Sequence, residues 1–282
     1  MFKGLDDINW DSFKIDEQKS AGEFPYIIRE LAKINDNSAF KRLNIRLIEI
    51  LSPDTDGYHL YTDATPSGII YFIELLTLKD YPFRNQLITT LLIVMGDNEP
   101  DNNRLFSDDF IRLIQDVHQE IKQHLHIIIE FLSSEDSKIR LHTIQILTRF
   151  PDAIPITLLP LVETLDIEPD DETLDKMLSG VQSFLQDNDT ATQKQKLLFL
   201  PAFLRSFQNL GKRTTPYFFP EKVIINSYEW DNGRKPTKAE LEEMRETSLR
   251  RMLLDKAFQM KALFKENTPT EILEYIKLQR HK

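Results

Sequence analysis

The chain has 282 residues, a formal net charge of −10 and no cysteine, which excludes disulfide bonds, thiol catalysis and thiolate metal ligands. Hydrophobic residues make up 41% of it, enough for a sizeable core rather than disorder. The first residues lack the layout of a signal peptide, and the longest near-apolar run, Leu87–Met95, is too short to span a bilayer. We therefore expect a cytoplasmic protein with no membrane partner.

Helices are predicted in pairs along the first part of the chain. Phe24–Ile34 begins beside Pro25, a residue favoured in a first helical turn, and the polar residues after it cap a second helix. The stretch Ser52–Ser67 is rich in Pro, Gly, Asp and Thr, so it is predicted to be a loop. A second pair of helices, Gly68–Leu78 and Phe83–Met95, follows this loop.

The clearest repeat unit is Ile121–Phe150. An apolar helix, a polar turn and an amphipathic helix follow one another there, and such a pair buries its apolar faces only by stacking on neighbours, as HEAT repeats do. Arg140 falls inside the apolar arc of the second helix. We expect a structural pair between Arg140 and Asp136, which is also placed to cap that helix. Pro151–Leu165 and Asp170–Gln186 are predicted to form the next pair.

The helical pattern changes near the C-terminus. Pro201 is expected to kink or divide a helix. Residues 211–236 contain three prolines and are predicted to form either a long loop or a short hairpin with a strand at Val223–Trp230. Two helices with strong N-terminal caps follow. The predicted fold is all-α: a HEAT-like α-solenoid of stacked antiparallel helix pairs over residues 1–210, with an extension over 211–282 packed on the array.

Several segments of the chain, taken in order, resemble a group of bacterial HEAT-repeat proteins. The segments that carry the resemblance are Leu5–Trp10, Phe24–Leu31, Tyr58, Ala64–Pro66, Tyr71–Leu76, Asp136–Arg140 and Arg149–Pro151. The resemblance implies an α-solenoid fold without enzymatic activity. Some proteins of this group are similar to immunity proteins that block toxins, so the resemblance also implies a protein partner.

Motifs for catalysis, cofactors and metals are missing from the sequence. His118, His124 and His126 lack the spacing of three or four residues that helical metal sites use. The segment Asp54–Asp63 lacks the closing Glu of a calcium loop. The chain has no phosphate-binding glycine loop and no nucleophile elbow. We therefore predict no catalytic residue, no metal and no cofactor.

Two segments are candidates for partner binding. One is the segment Tyr58–Asp63, called here the Tyr-rich loop, because loops on a rigid scaffold often carry recognition. The other is Leu161–Thr190, which contains nine acids and one base and would attract a basic partner. The candidate residues are Asp56, Tyr58, His59, Tyr61, Asp63, Glu168, Asp170, Asp171, Glu172 and Asp175. Alternatively, the tyrosines fold back to seal a gap between repeats, and the acids are a solvated face.

The function predicted from these features is non-enzymatic protein binding. A basic toxin such as a nuclease would suit the acidic charge, which makes an immunity role the leading hypothesis. A scaffold or assembly factor is equally consistent with the sequence. The alternative class is a nucleic-acid-binding HEAT-like protein related to DNA alkyl-base glycosylases. The acidic first 200 residues argue against it, and a basic cluster in residues 212–251 keeps it open.

Overall fold

The chain folds as an all-α protein. The computed structural model describes residues 2–15, 19–55, 58–96, 107–186, 193–212 and 234–280. These residues form two compact units, unit 1 (Met1–Thr164) and unit 2 (Leu165–Lys282). The division that the sequence suggested, after residue 210, lies inside a helix of unit 2. Within the described ranges, no helix is both long enough and apolar enough to cross a bilayer.

Unit 1 is built from short helices and one very small hairpin. In chain order the helices are α1 (Phe24–Leu31), α2 (Asn37–Leu51), α3 (Thr65–Leu76), α4 (Arg84–Met95), α5 (Asp108–Gln123), α6 (Leu125–Ile129) and α7 (Ser137–Leu147), with 3-10 turns at Trp10–Ser12, Glu130–Ser133 and Pro151–Ala153. Helix α8 (Ile154–Ile167) begins in unit 1 and ends in unit 2. Strands β1 (Asp54–Thr55) and β2 (Tyr58–His59) pair antiparallel within the predicted loop.

The helices of unit 1 pack in two rows. Helix α1 packs on α2, α3 on α4, and α6 on α7, so each pair contributes one helix to each row. Along the first row α1 contacts α3, and α3 contacts α5. Along the second row α2 contacts α4, and α4 contacts α7. Three of the predicted helix pairs are therefore in contact in unit 1, and like members of successive pairs lie side by side.

The helices of the second row run parallel, as contacts at successive points along neighbouring helices show. The rings of Phe40 and Phe83 stack at 4.4 Å, and one to two turns further along, Thr90 Oγ1 donates to Asn44 Oδ1 at 2.9 Å. From α4 to α7, Thr89 Oγ1 lies 2.9 Å from His142 Nδ1. Beyond these two helices, Arg149 donates to the carbonyl oxygen of Gly96 at 2.8 Å.

The core of unit 1 is tightest where α1, α2 and α3 meet. Gly68 of α3 lies so close to its neighbours that a Cβ atom there would stand 2.5 Å from the side chain of Leu51 and 3.1 Å from the ring of Phe24. Trp10 stacks on Phe24 at 4.3 Å and donates its indole N–H to the carbonyl oxygen of Leu5 at 2.7 Å. The segment before α1 is thereby packed onto the first helices.

The turn before α7 contains the buried arginine that the sequence predicts, but the Arg140 guanidinium bonds to other groups of the turn and not to the carboxylate of Asp136, its expected partner. Arg140 donates to the carbonyl oxygens of Ser134 at 2.6 Å and Glu135 at 3.1 Å, and to Ser137 Oγ at 2.7 Å. Asp136 Oδ1 accepts from the backbone N–H of Lys138 at 2.8 Å, which confirms the predicted cap. The guanidinium therefore closes the turn through backbone carbonyls that would otherwise lack donors.

Unit 2 contains longer helices packed around α12. Its helices are α9 (Asp171–Gln186), α10 (Gln193–Leu197), α11 (Leu200–Lys212), α12 (Lys238–Phe264) and α13 (Thr270–Arg280), with a 3-10 turn at Lys265–Asn267. Helix α12 packs against α9, α10, α11 and α13. The predicted helix around Pro201 is divided into α10 and α11, with Pro201 in the first turn of α11, and Thr237 forms a capping box with Glu240. The proposed strand Val223–Trp230 lies outside the described residues.

Candidate partner-binding surfaces

The Tyr-rich loop turns its central aromatic inward. Tyr61 is buried, and its ring meets the edge of the His118 ring at 6.4 Å. Burial raises the pKa of Tyr61 above its ordinary value. A partner cannot reach this side chain, so the expectation that Tyr61 contacts a partner gives way to the alternative that it seals the packing between helices.

The other residues of the loop offer little contact area. His59 is half-buried, with Nδ1 2.9 Å from the carbonyl oxygen of Ser52. Asp63 is exposed. Tyr58 lies in β2 by its backbone, whereas Asp56 and the side chain of Tyr58 lie outside the described residues. The loop is attached to α2, since Thr62 Oγ1 donates to the carbonyl oxygen of Ile50 at 2.7 Å.

The acidic segment of unit 2 divides into buried and exposed carboxylates. Glu168 is buried, and its Oε1 accepts from the backbone N–H of Asp170 at 3.1 Å. Arg205 of α11 donates to three carbonyl oxygens of the same stretch, including that of Asp166 at 2.8 Å. Glu168 therefore shapes the turn before α9 and is not available to a partner, contrary to the expectation from sequence.

Asp175 is the second buried carboxylate, and it joins three helices. Its Oδ1 lies 3.1 Å from Nζ of Lys256 on α12 and accepts a hydrogen bond from Ser206 on α11. Lys256 Nζ also donates to Ser206 Oγ. Asp175 and Ser206 are buried and Lys256 is half-buried, so the trio lies largely inside the unit and holds α9, α11 and α12 together. Asp175 is thus a packing residue, which corrects its assignment as a partner contact.

Asp170 and Asp171 are the candidates in this segment that are exposed. Asp170 caps α9, since its Oδ2 accepts from the backbone N–H of Thr173 at 2.7 Å. The side chain of Glu172 lies outside the described residues. Two exposed carboxylates at the start of one helix provide electrostatic attraction but little contact area.

An apolar surface that sequence reasoning missed lies on α8, within unit 1. Ile156 is 53% exposed and Leu159 is 62% exposed, and the exposed carboxylate of Glu163 follows one turn later. Leu158 and Leu161, on the opposite side of the same helix, are buried in the core. Placing the residues about 100° apart separates these two arcs. The helical periodicity of Pro151–Leu165 therefore contains the signal, although residue type alone favours a core position for both side chains.

Two surface cavities in unit 1 are each lined by an arginine that is paired with carboxylates. The larger, about 620 Å³, lies beside Arg46, which is 3.1 Å from a carboxylate oxygen of Glu23 and 2.5 Å from one of Glu49. The smaller, about 460 Å³, contains Arg84, which pairs with Glu130 at 2.8 Å and stands 4.3 Å over the ring of Phe131. These arginines bind neighbouring helices together rather than converging on a ligand.

In the part of the chain that the structure describes, no cluster of three His, Asp or Glu residues is arranged to hold a metal ion. No protein-family model matches the chain, and the searches of curated proteins and of solved structures return no match either.

Proposed function

We propose that the chain is a non-enzymatic, protein-binding α-solenoid, and that the exposed face of α8 is its principal contact surface. The observation that carries the proposal is the pair Ile156 and Leu159, two large aliphatic side chains that stand mostly in solvent on one helix face. Exposed apolar groups that are contiguous and rimmed by polar residues are typical of protein interfaces. Covering each of these side chains would contribute up to about 1.5–3 kcal/mol.

The two rows of unit 1 support the solenoid. Helices α1, α3 and α5 follow one another in one row, and α2, α4 and α7 in the other. Stacking of this kind lets each pair bury the apolar face that its neighbour leaves uncovered. Repeated helix pairs also present broad surfaces without a central pocket, which suits the binding of another macromolecule.

The charges around these contacts favour a basic partner. Glu163 lies on the α8 face, and Asp170 and Asp171 are exposed in unit 2. Complementary charge speeds association more than it tightens the final complex. A basic toxin such as a nuclease, neutralised by an immunity protein, is the partner that we propose. A scaffold role would use the same face. The cysteine-free sequence supports a cytoplasmic location.

The test compares two substitutions at equally exposed leucines. Leu159→Asp places a charge on the α8 face, and Leu278→Asp is the matched control because Leu278 is also 62% exposed but lies on α13. The partner is isolated from the source cells on the wild-type chain, identified, purified and titrated against both variants. We expect Leu159→Asp to weaken binding by at least about tenfold, which is about 1.4 kcal/mol, and Leu278→Asp to change it little.

Equal affinity of both variants for the partner would remove the α8 face from the proposal. Recovery of nucleic acid as the dominant bound species would favour the nucleic-acid alternative. Replacing Asp170 and Asp171 with Asn should slow association and flatten its salt dependence, while leaving dissociation nearly unchanged. Glu168 and Asp175 stay unaltered in this variant because both are buried.

A further inference from the structure

Charge is segregated between the two rows of unit 1. Helices α2, α4 and α7 contain six Lys and Arg residues and one acid, whereas α1, α3, α5 and α6 contain three Lys and Arg residues and six acids. The second row is therefore basic within a chain whose net charge is −10. This pattern is hidden in the linear sequence, because helices of the two rows alternate along the chain.

Three of the six cations in the second row have structural partners. Arg46 pairs with Glu23 and Glu49, Arg84 pairs with Glu130, and buried Arg140 closes the turn before α7. Lys41, Arg42 and Lys138 are exposed, and none of them forms an ion pair with a residue in the described ranges. These three cations are the ones that a partner can neutralise.

Uncharged side chains, one of them apolar, lie on the three helices of the row that carries these cations. Ile45 is 57% exposed on α2, one turn from Lys41 and therefore on the same face. Thr89 of α4 and His142 of α7 bridge the adjoining helices. Burial lowers the pKa of His142, so its ring is uncharged at neutral pH.

Acids near the cations stand at the edge of the row. Asp36 and Asp136 are at the N-termini of α2 and α7, where each accepts a backbone N–H, at 2.7 Å and 2.8 Å respectively. Glu135 is exposed in the turn before α7. Within α2, α4 and α7 themselves there is one carboxylate, that of Glu49, and it forms an ion pair with Arg46.

We propose that the α2–α4–α7 surface, defined by Lys41, Arg42, Ile45 and Lys138, docks an acidic amphipathic helix of a partner protein. Adjacent packed helices lie about 8–10 Å apart, so the cations of α2 and α7 are separated by about two such spacings. A helix of about 12 residues spans that distance at about 1.5 Å per residue. Carboxylates near both ends of the helix would meet the cations, and apolar residues between them would cover Ile45.

Nucleic acid fits this surface less well than an acidic helix. Three available cations neutralise few phosphates, and the net charge of −10 on the chain opposes the binding of a polyanion. Helices α2, α4 and α7 contain one Phe, Tyr or Trp residue, Phe40, and it is buried and so cannot stack on a base. The proposal goes beyond the function proposed above and does not depend on the α8 face, since it concerns a different surface and an oppositely charged partner.

The experiment uses the full chain and a fluorescein-labelled synthetic helix of about 15 residues, or about four turns. This acidic probe has Glu near both ends and Leu on one face between them. A second probe has Lys in place of each Glu, and a third is a DNA duplex of about two helical turns. Fluorescence anisotropy gives the affinity of each probe for the wild-type chain and for two charge-reversal variants. Sedimentation of the chain alone reports self-association.

The test variant is Lys41→Glu, Arg42→Glu and Lys138→Glu together. The control, Lys79→Glu, Lys261→Glu and Lys277→Glu, reverses the same number of exposed charges elsewhere. We expect the wild type to bind the acidic probe best, the test variant to bind it at least about tenfold more weakly, and the control to stay within about threefold. Ile45→Ser should also weaken binding. Circular dichroism confirms that each variant is folded.

Each contrary result overturns the proposal. These results are a failure of the acidic probe to bind, equal weakening by the two charge-reversal variants, and tighter binding of the basic helix or the DNA duplex. Self-association of the chain through the same three cations would identify a second copy as the occupant instead. None of these results bears on binding at Leu159, so the two proposals succeed or fail separately.

Discussion

Two cations, buried Arg140 in unit 1 and half-buried Lys256 in unit 2, are held in different ways. Arg140 of unit 1 bonds to the turn that precedes its own helix, with acceptors three to six residues away. Lys256 of unit 2 bonds to Asp175 and Ser206, which are 81 and 50 residues away. A local clasp shapes one turn, whereas the long-range pin holds separate helices against one another. The difference predicts unequal consequences when each is broken.

The largest effect is expected for Asp175→Leu, which removes a buried carboxylate and leaves the half-buried ammonium of Lys256 without it. Removing one member of a buried ion pair costs about 3–5 kcal/mol in the free energy of unfolding. Urea denaturation of the full chain measures this loss. Adding Lys256→Met should restore most of the stability, because two apolar side chains then replace the pair. A double variant as unstable as Asp175→Leu would show that the pin does not act as a unit.

A smaller loss is expected for Arg140→Met, about 1–3 kcal/mol, because two carbonyl oxygens near Arg140 lose their donors while the apolar packing is largely kept. The control is Lys138→Met, which changes the neighbouring exposed cation and should alter stability by no more than about 0.5 kcal/mol. The same urea titration compares the two. If both variants are equally stable, the turn closes without Arg140, and the clasp is incidental.

Leu159→Asp should leave stability within about 0.5 kcal/mol of the wild type, since Leu159 is mostly in solvent. This substitution therefore separates an effect on binding from an effect on folding, whereas Asp175→Leu and Arg140→Met do not. Thermal melts of this variant and of Leu278→Asp check the expectation. A drop in melting temperature confined to Leu159→Asp would mean that the chain itself covers this face.

The smallest effect is expected from His142, which links α4 to α7 within unit 1. Burial lowers the pKa of its folded form below the ordinary 6.5. As pH falls through about 6.5, the unfolded chain therefore binds a proton that the folded chain does not, and stability decreases. His142→Gln should lose less stability than the wild type between pH 7 and about pH 5.5. Parallel losses in the two proteins would assign the pH dependence to other groups.

The contrast between Arg140 and Lys256 also shows what the sequence could predict. The residue spacing along one helix predicted that Arg140 is buried and that Asp136 caps the helix, because both follow from patterns within a few residues. The partners of Asp175 lie on two other helices and are distant in sequence. Its position among nine acids therefore led to the prediction that Asp175 lies at the surface. Tyr61 was misplaced for the same reason, since the His118 ring that covers it comes from α5.

Exposure was the property that could be predicted least well. Ile156 and Leu159 lie on the outer arc of α8, yet their composition alone suggests a core position. The basic second row also emerges only when α2, α4 and α7 are placed side by side. Helix existence followed from local patterns, whereas the composition of each surface depended on which helices are neighbours.

The most direct test of partner binding is hydrogen–deuterium exchange of the chain alone and in complex with the partner isolated from its source cells. A partner that covers Ile156 and Leu159 should slow amide exchange in peptides spanning residues 154–164, and Leu159→Asp should abolish that protection. Protection confined to other helices, with exchange across α8 unchanged, would contradict the account.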